Sequence, residues 1–359
     1  MKLRRDTNLS CYDSYRIWHT PRNHQTIPGN QCFKCAGLIF PHRFHRPADG
    51  PLRGYEGACT VPDFTFADAF SGGQKHNTLG ESFIKICKSA EKLFKNNHFD
   101  IVAVQGDTTT AYALAQMAFY NSIKVAHVEA GLRTFDLANP YPEELNRVLI
   151  SRLAYIHFAP TKQALLNLQQ EGAVNVHLVG NTIVDAVNVF KVKMTVPATL
   201  PRKVLVTLHR RENHSRMDML FDELQALALG NPDLEIILPI HPNPNIQKHR
   251  QRLSAPNIQI INPVGYPEML RLIGESYFLI TDSGGIQEEG TCFNKKVLVV
   301  RDKTERPETI EIGLGRLVGK EISKAITWAR IPPPPLKESP YGDGHAAEKI
   351  ADHLKEYGA

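Results

Sequence analysis

The chain has 359 residues, which is long for one hydrophobic core and favours two domains. Hydrophobic residues make up 42% and charged residues 22%, as is ordinary for a globular protein. The net charge of +5 is mildly basic, but no basic patch with aromatic residues follows residue 60, so we expect no nucleic acid partner.

The sequence also lacks the usual signals for export or membrane insertion. No apolar run approaches the ~18 residues of a membrane span, and no apolar segment follows the N-terminal MKLRRDTNLS. We therefore expect a cytoplasmic protein with no membrane partner. Six cysteines in a chain of this length do not suggest a disulfide framework.

Residues 1–60 differ in composition from the rest of the chain. They contain no valine and few aliphatic runs, so we predict neither a strand nor a long amphipathic helix there. Cys32 and Cys35 have the spacing of zinc ligands. Because no second pair with this spacing follows, we predict no metal site.

From residue 61 onward, short apolar runs alternate with helical patterns. The runs predict strands at Asp100–Val104, Ile123–Val128, Tyr155–Ala159 and Val176–Val179. Helices are predicted over Leu79–Phe94 and Ala111–Tyr120, from Pro142, from Thr161 through Glu171, and around Asp185. This alternation is typical of parallel α/β sheets.

The second half repeats the alternation after a break. Phe190–Arg202 contains two prolines and has weak periodicity, so we place the domain linker there. The predicted strands are Lys203–Thr207, Leu234–Pro239, Ile258–Asn262, Phe278–Thr281 and Lys296–Val300, and the predicted helices are Met217–Ala228, Pro267–Gly274 and Gly284–Gly290. A proline-rich connector, Ile331–Leu336, precedes a last helix at Ala346–Tyr357. We expect two Rossmann-like domains with parallel sheets facing a cleft.

Three acidic residues stand where strands end or helices begin. Asp107 and Glu129 each follow a predicted strand, and Glu143 opens a helix. In open parallel sheets, ligands bind outside the carboxyl ends of the strands, so the three carboxylates are candidates for proton transfer. Acidic residues also cap helices at such positions, and this simpler interpretation stays open.

Two stretches of the second half suit a phosphate-bearing ligand. Ser283, Gly284 and Gly285 join a strand to a helix, where glycine lets the backbone approach a phosphate and the helix N-terminus offers N–H groups. His209 and Arg210 follow another strand end and suit a diphosphate. A tight turn and a solvated charged loop are the alternative interpretations of these stretches.

Longer motifs indicate a family. In chain order they are GDTTT, HVEAGLRT, PEELNR, VGNT, TLHRREN, HPNP, TDSGGIQEEG and RDKTERPE. With these motifs the chain resembles the non-hydrolysing UDP-N-acetylglucosamine 2-epimerases over roughly residues 61–359. The resemblance implies the glycosyltransferase-B fold of two Rossmann-like domains, an isomerase that needs no metal or other cofactor, and a homodimer.

The implied reaction interconverts UDP-N-acetylglucosamine and UDP-N-acetylmannosamine, a precursor of cell-surface polysaccharide. UDP would leave by elimination to a 2-acetamidoglucal and then add back, with protonation on the opposite face of C2. This route needs acid and base groups at both faces, for which Asp107, Glu129 and Glu143 are the candidates. Arg147 is expected to orient Glu143 or to pair with it.

The resemblance also implies roles in the second half. Ser283, Gly284 and Gly285 would hold the diphosphate, and Glu289 would hold the ribose. His209 would stabilise the departing UDP. Arg210 and His241 would bind a second UDP-N-acetylglucosamine that activates the enzyme. Tyr266 would stack on uracil, or it belongs to the hydrophobic core. Arg301 would contact the substrate, or it forms a structural ion pair.

The resemblance fails in the first 60 residues. The family's first strand, its G-T-R-P-E loop and a later G-Q-H segment do not occur here. A frameshift or a misassigned gene start is the simplest hypothesis, and reading the other two frames tests it. Loss of a central strand predicts an exposed sheet edge, lower stability and weak or absent activity.

These observations define four predicted segments: an atypical stretch at 1–60, a first Rossmann-like domain at 61–190, a UDP-binding domain at 191–340, and a C-terminal helix at 341–359 that packs on the first domain. Three other functions stay open. They are an inactive or binding-only UDP-sugar remnant, a hydrolysing 2-epimerase that releases UDP and N-acetylmannosamine, and a glycosyltransferase with the same fold.

Overall fold

The computed structural model describes residues 15–19, 34–38, 78–191 and 202–357. The chain forms two compact units: one runs to Asp185 and resumes at Gly344, and the other comprises Ala186–Asp343. The predicted domain limits near residues 190 and 340 stay predictions. Residues 192–201 of the expected linker, and Cys32 of the pair with zinc-like spacing, lie outside the described residues.

The first unit is built on a six-stranded sheet with the order β2-β1-β3-β4-β5-β6. The strands are β1 Tyr15–His19, β2 Lys34–Leu38, β3 Ile101–Gln105, β4 Lys124–Val128, β5 Ile156–Ala159 and β6 Val176–Leu178. β3 to β6 run parallel to one another, which confirms the prediction from the alternation. Residues 101–104 of β3 are all buried, as suits a strand covered on both faces.

Two strands at one edge of this sheet correct the sequence analysis. β1 and β2 form an antiparallel pair within the stretch where no strand is predicted. β1 also pairs antiparallel with β3, from Tyr15 opposite Val104 to Trp18 opposite Ile101. The prediction of an open edge at β3 is therefore wrong. Only Ile17 is β-branched in these two segments, so their composition does not mark them as strands.

Five helices of this region follow the predicted starts closely. They are α1 Leu79–Asn96, α2 Thr109–Tyr120, α3 Glu143–Leu153, α4 Lys162–Gln170 and α5 Thr182–Lys191. Threonine side chains cap the N-termini of three of these helices. Thr78 and Glu81 form a reciprocal capping box, and Thr108 and Thr161 each accept a backbone N–H from three residues further on.

The second unit contains a wholly parallel sheet with the order β12-β11-β10-β7-β8-β9. Its strands are β7 Lys203–Thr207, β8 Glu235–Pro239, β9 Ile258–Ile261, β10 Phe278–Thr281, β11 Lys296–Val299 and β12 Gly315–Leu317. The helices are α6 Met217–Gly230, α7 Pro244–Gln247, α8 Tyr266–Glu275, α9 Gly284–Cys292, α10 Pro307–Glu311 and α11 Ile326–Arg330. Short 3-10 turns lie at Arg211–Arg216, Arg250–Arg252 and Ser323–Ala325.

The last helix, α12 Ala346–Tyr357, belongs to the first unit. Its Ile350 and Leu354 pack with Ile101 and Phe158 in one buried cluster. Its first turn is held by Asp185, whose carboxylate accepts the N–H groups of residues 346 and 347 at 3.2 and 2.9 Å. None of the helices among the described residues is both long and apolar enough to span a bilayer.

Candidate active site

Gly106 and Glu129 bring the ends of β3 and β4 together in the first unit. Gly106 has a φ of +71°, and its N–H donates to the Val128 carbonyl at 3.0 Å. A Cβ atom at Gly106 would lie 3.6 Å from Glu129 Oε2, so the Glu129 carboxylate lies beside the residue that precedes Asp107. Glu129 itself has a φ of +63°, which is unfavourable for a residue with a Cβ and is typical of functional sites.

Asp107 is held by two neighbours on α3. Its Oδ2 accepts a hydrogen bond from Arg147 Nη2 at 2.5 Å, and its carbonyl accepts one from Asn146 Nδ2 at 2.8 Å. Arg147 is only 2% exposed, whereas the Asp107 side chain keeps 21% of its surface accessible. The carboxylate is therefore fixed by a buried cation and still faces solvent.

Glu144 is a partner that the sequence analysis missed. Arg147 Nη1 donates to Glu144 Oε2 at 2.9 Å, while the predicted pairing of Arg147 with Glu143 stays a prediction. Glu144 is fully buried, and Glu143 beside it is half-buried at the start of α3. Helical phase separates the two adjacent glutamates, because neighbouring residues on a helix point in different directions.

His127 on β4 contacts the backbone that follows β3, directly before Asp107. Its ring is buried and its Nε2 lies 2.9 Å from the Gly106 carbonyl. Burial lowers the pKa of His127 to about 3, so the imidazole is neutral near pH 7. A neutral His127 with its proton on Nε2 donates to Gly106 and fixes the backbone that leads into Asp107.

Asp282 organises the corresponding corner of the second unit. It follows β10, is fully buried, and accepts the backbone N–H of His209 at 3.0 Å and that of Arg210 at 2.9 Å. Asn213 Nδ2 donates to the same carboxylate at 2.9 Å. The carboxylate thereby ties the loop after β7 to the end of β10.

His209 and His241 stack at this corner. Their ring centroids are 5.6 Å apart and their planes differ by 15°. Burial lowers the pKa of His241 to about 4, with a further contribution from His209. Burial also lowers the pKa of His209, and the Asp282 carboxylate, 3.4 Å from its Nδ1, opposes that shift. Asp282 is thus the group that would stabilise a protonated His209.

Gly284, the first residue of α9, has no room for a side chain. A Cβ atom at Gly284 would lie 2.3 Å from Arg306 Nη1, so the guanidinium of Arg306 occupies the space that a larger residue would need. Arg306 is buried and bonds Glu288 Oε1 at 2.5 Å and also Glu305. The predicted phosphate loop at Ser283, Gly284 and Gly285 therefore lies against a buried cation.

Arg301 after β11 is buried in ion pairs. Its Nε donates to Glu212 and its Nη1 to Glu305, both at 2.7 Å. Among the described residues, Arg301 Nη2 has no hydrogen-bond partner. Arg301 thus makes the ion pairs of the simpler interpretation, and its contact with the substrate stays a prediction.

Glu289 on α9 and Tyr266 at the start of α8 are both buried and interact with each other. Burial raises the pKa of Glu289 to about 8, and the Tyr266 hydroxyl opposes this shift by hydrogen bonding. Tyr266 is itself buried and meets Phe190 edge to face, with centroids 5.5 Å apart. A protonated Glu289 is able to donate a hydrogen bond as well as accept one.

Comparison with known proteins identifies the family. The profile of a family described as UDP-N-acetylglucosamine 2-epimerase matches residues 61–355. A Campylobacter jejuni protein of that name is 41% identical over 311 residues, which cover 78% of this chain and 81% of the relative. The chain belongs to the UDP-N-acetylglucosamine 2-epimerase family.

Solved structures support the same fold. A family member from Neisseria meningitidis, bound to UDP-GlcNAc, gives a TM-score of 0.75 at 35% identity and covers 82% of this chain and 86% of its own. Another, from Methanocaldococcus jannaschii in complex with UDP-GlcNAc and UDP, gives 0.73 at 35% identity, with coverage of 84% and 87%. The prediction of two Rossmann-like domains of the glycosyltransferase-B type is confirmed.

In this epimerase-family chain, the predicted residues form two groups. Asp107, Glu129 and Arg147 converge in the first unit, and His209, Arg210 and His241 in the second. Three buried residues that position them were not predicted: Glu144, His127 and Asp282. They lie inside the motifs PEELNR, HVEAGLRT and TDSGGIQEEG, so the motifs held a signal for all three. No group of three possible metal ligands occurs among the residues that the structure describes.

Proposed function

We propose that the chain catalyses the reversible C2 epimerisation of UDP-N-acetylglucosamine to UDP-N-acetylmannosamine. The observation that carries the proposal is the placement of the Glu129 carboxylate against Gly106, next to the Arg147-bound Asp107. Carboxylates at the ends of the neighbouring strands β3 and β4 suit a reaction that removes a proton and returns one. Family membership supplies the substrate class, since relatives named for this epimerisation match most of the chain.

The proposed route balances as an isomerisation. One ionised carboxylate removes the C2 proton while the bond from C1 to the diphosphate oxygen breaks, which gives a 2-acetamidoglucal and UDP. UDP then adds back to C1, and a protonated carboxylic acid gives its proton to C2 on the opposite face. Asp107, Glu129 and Glu143 are the proposed acid and base groups, because each stands at a strand end or a helix start of the first unit.

The second unit supplies the proposed site for UDP. His209 and Arg210, held by Asp282, would stabilise the negative charge that develops on the departing diphosphate. Ser283, Gly284 and Gly285 would hold the phosphates at the start of α9, Glu289 the ribose, and Tyr266 and Arg301 the remaining substrate contacts. We further propose Arg210 and His241 as ligands of an activating second UDP-N-acetylglucosamine, and a homodimer as the assembly.

Proton NMR of the purified chain with UDP-N-acetylglucosamine in D2O tests the proposal. We expect the anomeric signal of UDP-N-acetylmannosamine to appear, with deuterium incorporated at C2. Release of free N-acetylmannosamine and UDP would instead establish hydrolysis. A folded chain that incorporates no deuterium and forms no product would contradict the proposed function.

A second candidate is UDP-sugar binding without turnover. One observation favours it: the family match begins at residue 61, and the G-T-R-P-E loop that the resemblance implies does not occur in the sequence. In the same samples, UDP binding measured by calorimetry separates the candidates. Binding without deuterium exchange supports this second function, and binding with exchange supports the first.

A further inference from the structure

Glu144 uses both carboxylate oxygens in hydrogen bonds, and it is completely buried. Its Oε1 accepts the backbone N–H groups of Thr134 and Phe135, both at 2.9 Å. Its Oε2 accepts from Arg147 Nη1 at 2.9 Å. A buried carboxylate that is satisfied on every side is held rigidly, so it is able to fix the groups on either side of it.

Arg147 continues this connection to Asp107. Its Nη1 is bound to Glu144, and its Nη2 donates to Asp107 Oδ2 at 2.5 Å. The planar guanidinium keeps these two donors at a fixed angle, so the position of one carboxylate determines that of the other. We call the connected set Thr134–Phe135 backbone, Glu144, Arg147 and Asp107 the Glu144 relay.

The loop at the far end of the relay has a conformation that needs support. Phe135 has a φ of +59°, which an L residue with a large side chain rarely adopts. Thr134 Oγ1 donates to the Asn139 carbonyl at 2.6 Å and closes the loop on itself. The side chains of Phe135 and Tyr141, near the two ends of this loop, are 71% and 56% exposed. Glu144 thus holds the strained Phe135 by its N–H group while the Phe135 side chain stays exposed.

We propose that Glu144 is a positioning residue that couples the conformation of the loop at residues 134–142 to the orientation of the Asp107 carboxylate. The inference rests on the proposed function, in which Asp107 handles the C2 proton. When the loop N–H groups bind Glu144, Glu144 fixes the position of Arg147. Arg147 then binds Asp107 Oδ2, so that Asp107 Oδ1 is the oxygen available for the reaction. Opening of the loop releases the same chain of contacts.

The first unit contains a matched ion pair that lacks this connection. Arg133 is as buried as Arg147, and it binds both oxygens of Glu171 at 2.7 and 2.8 Å. Arg133 also donates to Ser151 Oγ and to the Leu132 carbonyl, neither of which leads to Asp107. Glu171→Gln therefore weakens a pairing of a buried arginine in the same unit and replaces no residue of the Glu144 relay, although Arg133 directly precedes Thr134 and the Glu171 side chain is 20% exposed.

Glu144→Gln is expected to keep the hydrogen bonds from the loop N–H groups and to break the hydrogen bond from Arg147. The glutamine carbonyl oxygen keeps the shape needed to accept from the loop N–H groups, whereas its amide N–H2 places donors against the donors of Arg147. We compare the wild-type chain, Glu144→Gln and Glu171→Gln by kcat and KM for UDP-N-acetylglucosamine, by the rate of C2 deuterium exchange, and by the unfolding temperature.

The relay predicts a specific pattern. Glu144→Gln should lower kcat and the exchange rate by the same factor, roughly 10- to 100-fold, because misplacing a catalytic group by about 1 Å costs on this order. Its KM should stay within about twofold of wild type. Glu171→Gln should keep the wild-type kcat even if it lowers the unfolding temperature as much as Glu144→Gln does. Equal losses of kcat in both variants, or no loss in Glu144→Gln, would overturn the proposal.

A wild-type chain that neither forms product nor exchanges C2 hydrogen would be a failure of the proposed function, not of the relay. The relay is then tested by a crystal structure of Glu144→Gln. The expected result is a rotated Asp107 carboxylate that has lost its contact with Arg147. An Asp107 carboxylate in its original place, still bound to Arg147, would overturn the relay on its own.

Discussion

Asp107 and Asp282 occupy equivalent places in the two units and have opposite surroundings. Each follows a central strand and precedes a helix, β3 and α2 for Asp107, β10 and α9 for Asp282. Asp107 is partly exposed and receives one guanidinium, whereas Asp282 has no exposed surface and receives hydrogen bonds from three N–H donors. The same strand–Asp–helix pattern therefore leaves a carboxylate accessible in one unit and fixes a loop in the other.

Burial and the number of hydrogen-bond donors, and not the motif, therefore determine the role of each aspartate. A carboxylate that is surrounded by N–H donors and sealed from solvent is stabilised as an anion and holds its loop in place. A carboxylate with one buried cation and an accessible edge is oriented and still able to exchange a proton with a ligand. Substitutions at the two positions should therefore damage different properties.

The largest expected effect is on turnover, from Asp107→Asn. The amide is nearly isosteric but cannot take up a proton, so kcat should fall about 10²- to 10⁴-fold. UDP binding, which we assign to the second unit, should stay near the wild-type value. Steady-state kinetics and calorimetry measure the two quantities.

Asp100→Asn is the matched control for this substitution. Asp100 lies directly before β3, at the end of the strand away from Asp107, and pairs with His98 at 3.4 Å. Its replacement should leave kcat unchanged. A kcat for Asp107→Asn within twofold of wild type would remove Asp107 from the proposed acid and base groups.

The next largest effect is on stability, from Asp282→Ala. This change leaves the N–H groups of His209 and Arg210 and the amide of Asn213 without their buried acceptor. Each buried donor left unsatisfied costs about 1–3 kcal/mol, so the free energy of unfolding should fall by about 3 kcal/mol or more. Denaturant unfolding measures it, and UDP affinity should fall as the loop after β7 loses its anchor.

Asp302→Ala is the control for the loss of stability expected in Asp282→Ala. Its carboxylate is 65% exposed and pairs with Arg216 at 3.0 Å, and exposed ion pairs contribute about 0–1 kcal/mol. If Asp282→Ala destabilised the chain no more than Asp302→Ala, the assigned organising role of Asp282 would be refuted.

Much of this architecture was predictable because local signals agree with the fold. Apolar runs mark the central strands, and Thr108 and Thr161 mark helix starts, since a hydroxyl at that position accepts the first orphan N–H groups. The same signal selected Asp107 and Glu129 as catalytic candidates, because strand ends are visible in the sequence, and their catalytic roles stay predictions.

Other features depend on contacts that a sequence does not display. Whether Glu143 or Glu144 is buried depends on the rotation of α3, and Arg147 reaches Asp107 across 40 positions of the chain. The antiparallel strands β1 and β2 pair through backbone groups, which almost any composition supplies. The three-residue strand β12 is too short to carry a periodic pattern.

Glu289 should give a pH-dependent effect in the second unit. Burial raises its pKa from the usual 4.5 to about 8, so the folded chain holds a proton that the unfolded chain releases between these values. This contribution to stability is complete below pH 4.5 and is lost as pH rises towards about 8, by at most about 1.4 kcal/mol per pH unit.

Glu289→Gln removes this titration, so its stability relative to wild type should improve steadily across that pH window. Glu321→Gln is the control, because Lys324 lowers the pKa of that exposed carboxylate and no slope is expected above pH 4.5. Parallel stability curves for wild type and Glu289→Gln would contradict a raised pKa in the folded state.

The smallest expected effect concerns the docking of α12 in the first unit. His177 on β6 and His353 on α12 have ring centroids 4.0 Å apart, and Phe158 lies about 6 Å from both. Burial lowers the pKa of His177, and His353 and His157 lower it further, whereas Glu356 opposes the shift. A depressed histidine pKa means that the unfolded chain binds the proton first, so this contribution to stability is present above pH 6.5 and is lost as pH falls through the folded pKa.

Hydrogen exchange of the α12 amides measures this effect locally. Protection of α12 should decrease as pH is lowered below 6.5, after correction for the intrinsic exchange rate. His177→Phe keeps a ring against His353 and removes the titrating group, so it should flatten this dependence. His345→Phe, at a histidine that is 61% exposed just before α12, should leave the dependence as in wild type. A slope that persists in His177→Phe would show that a group other than His177 titrates, and would remove His177 from the account of how α12 is held against Ile101 and Phe158.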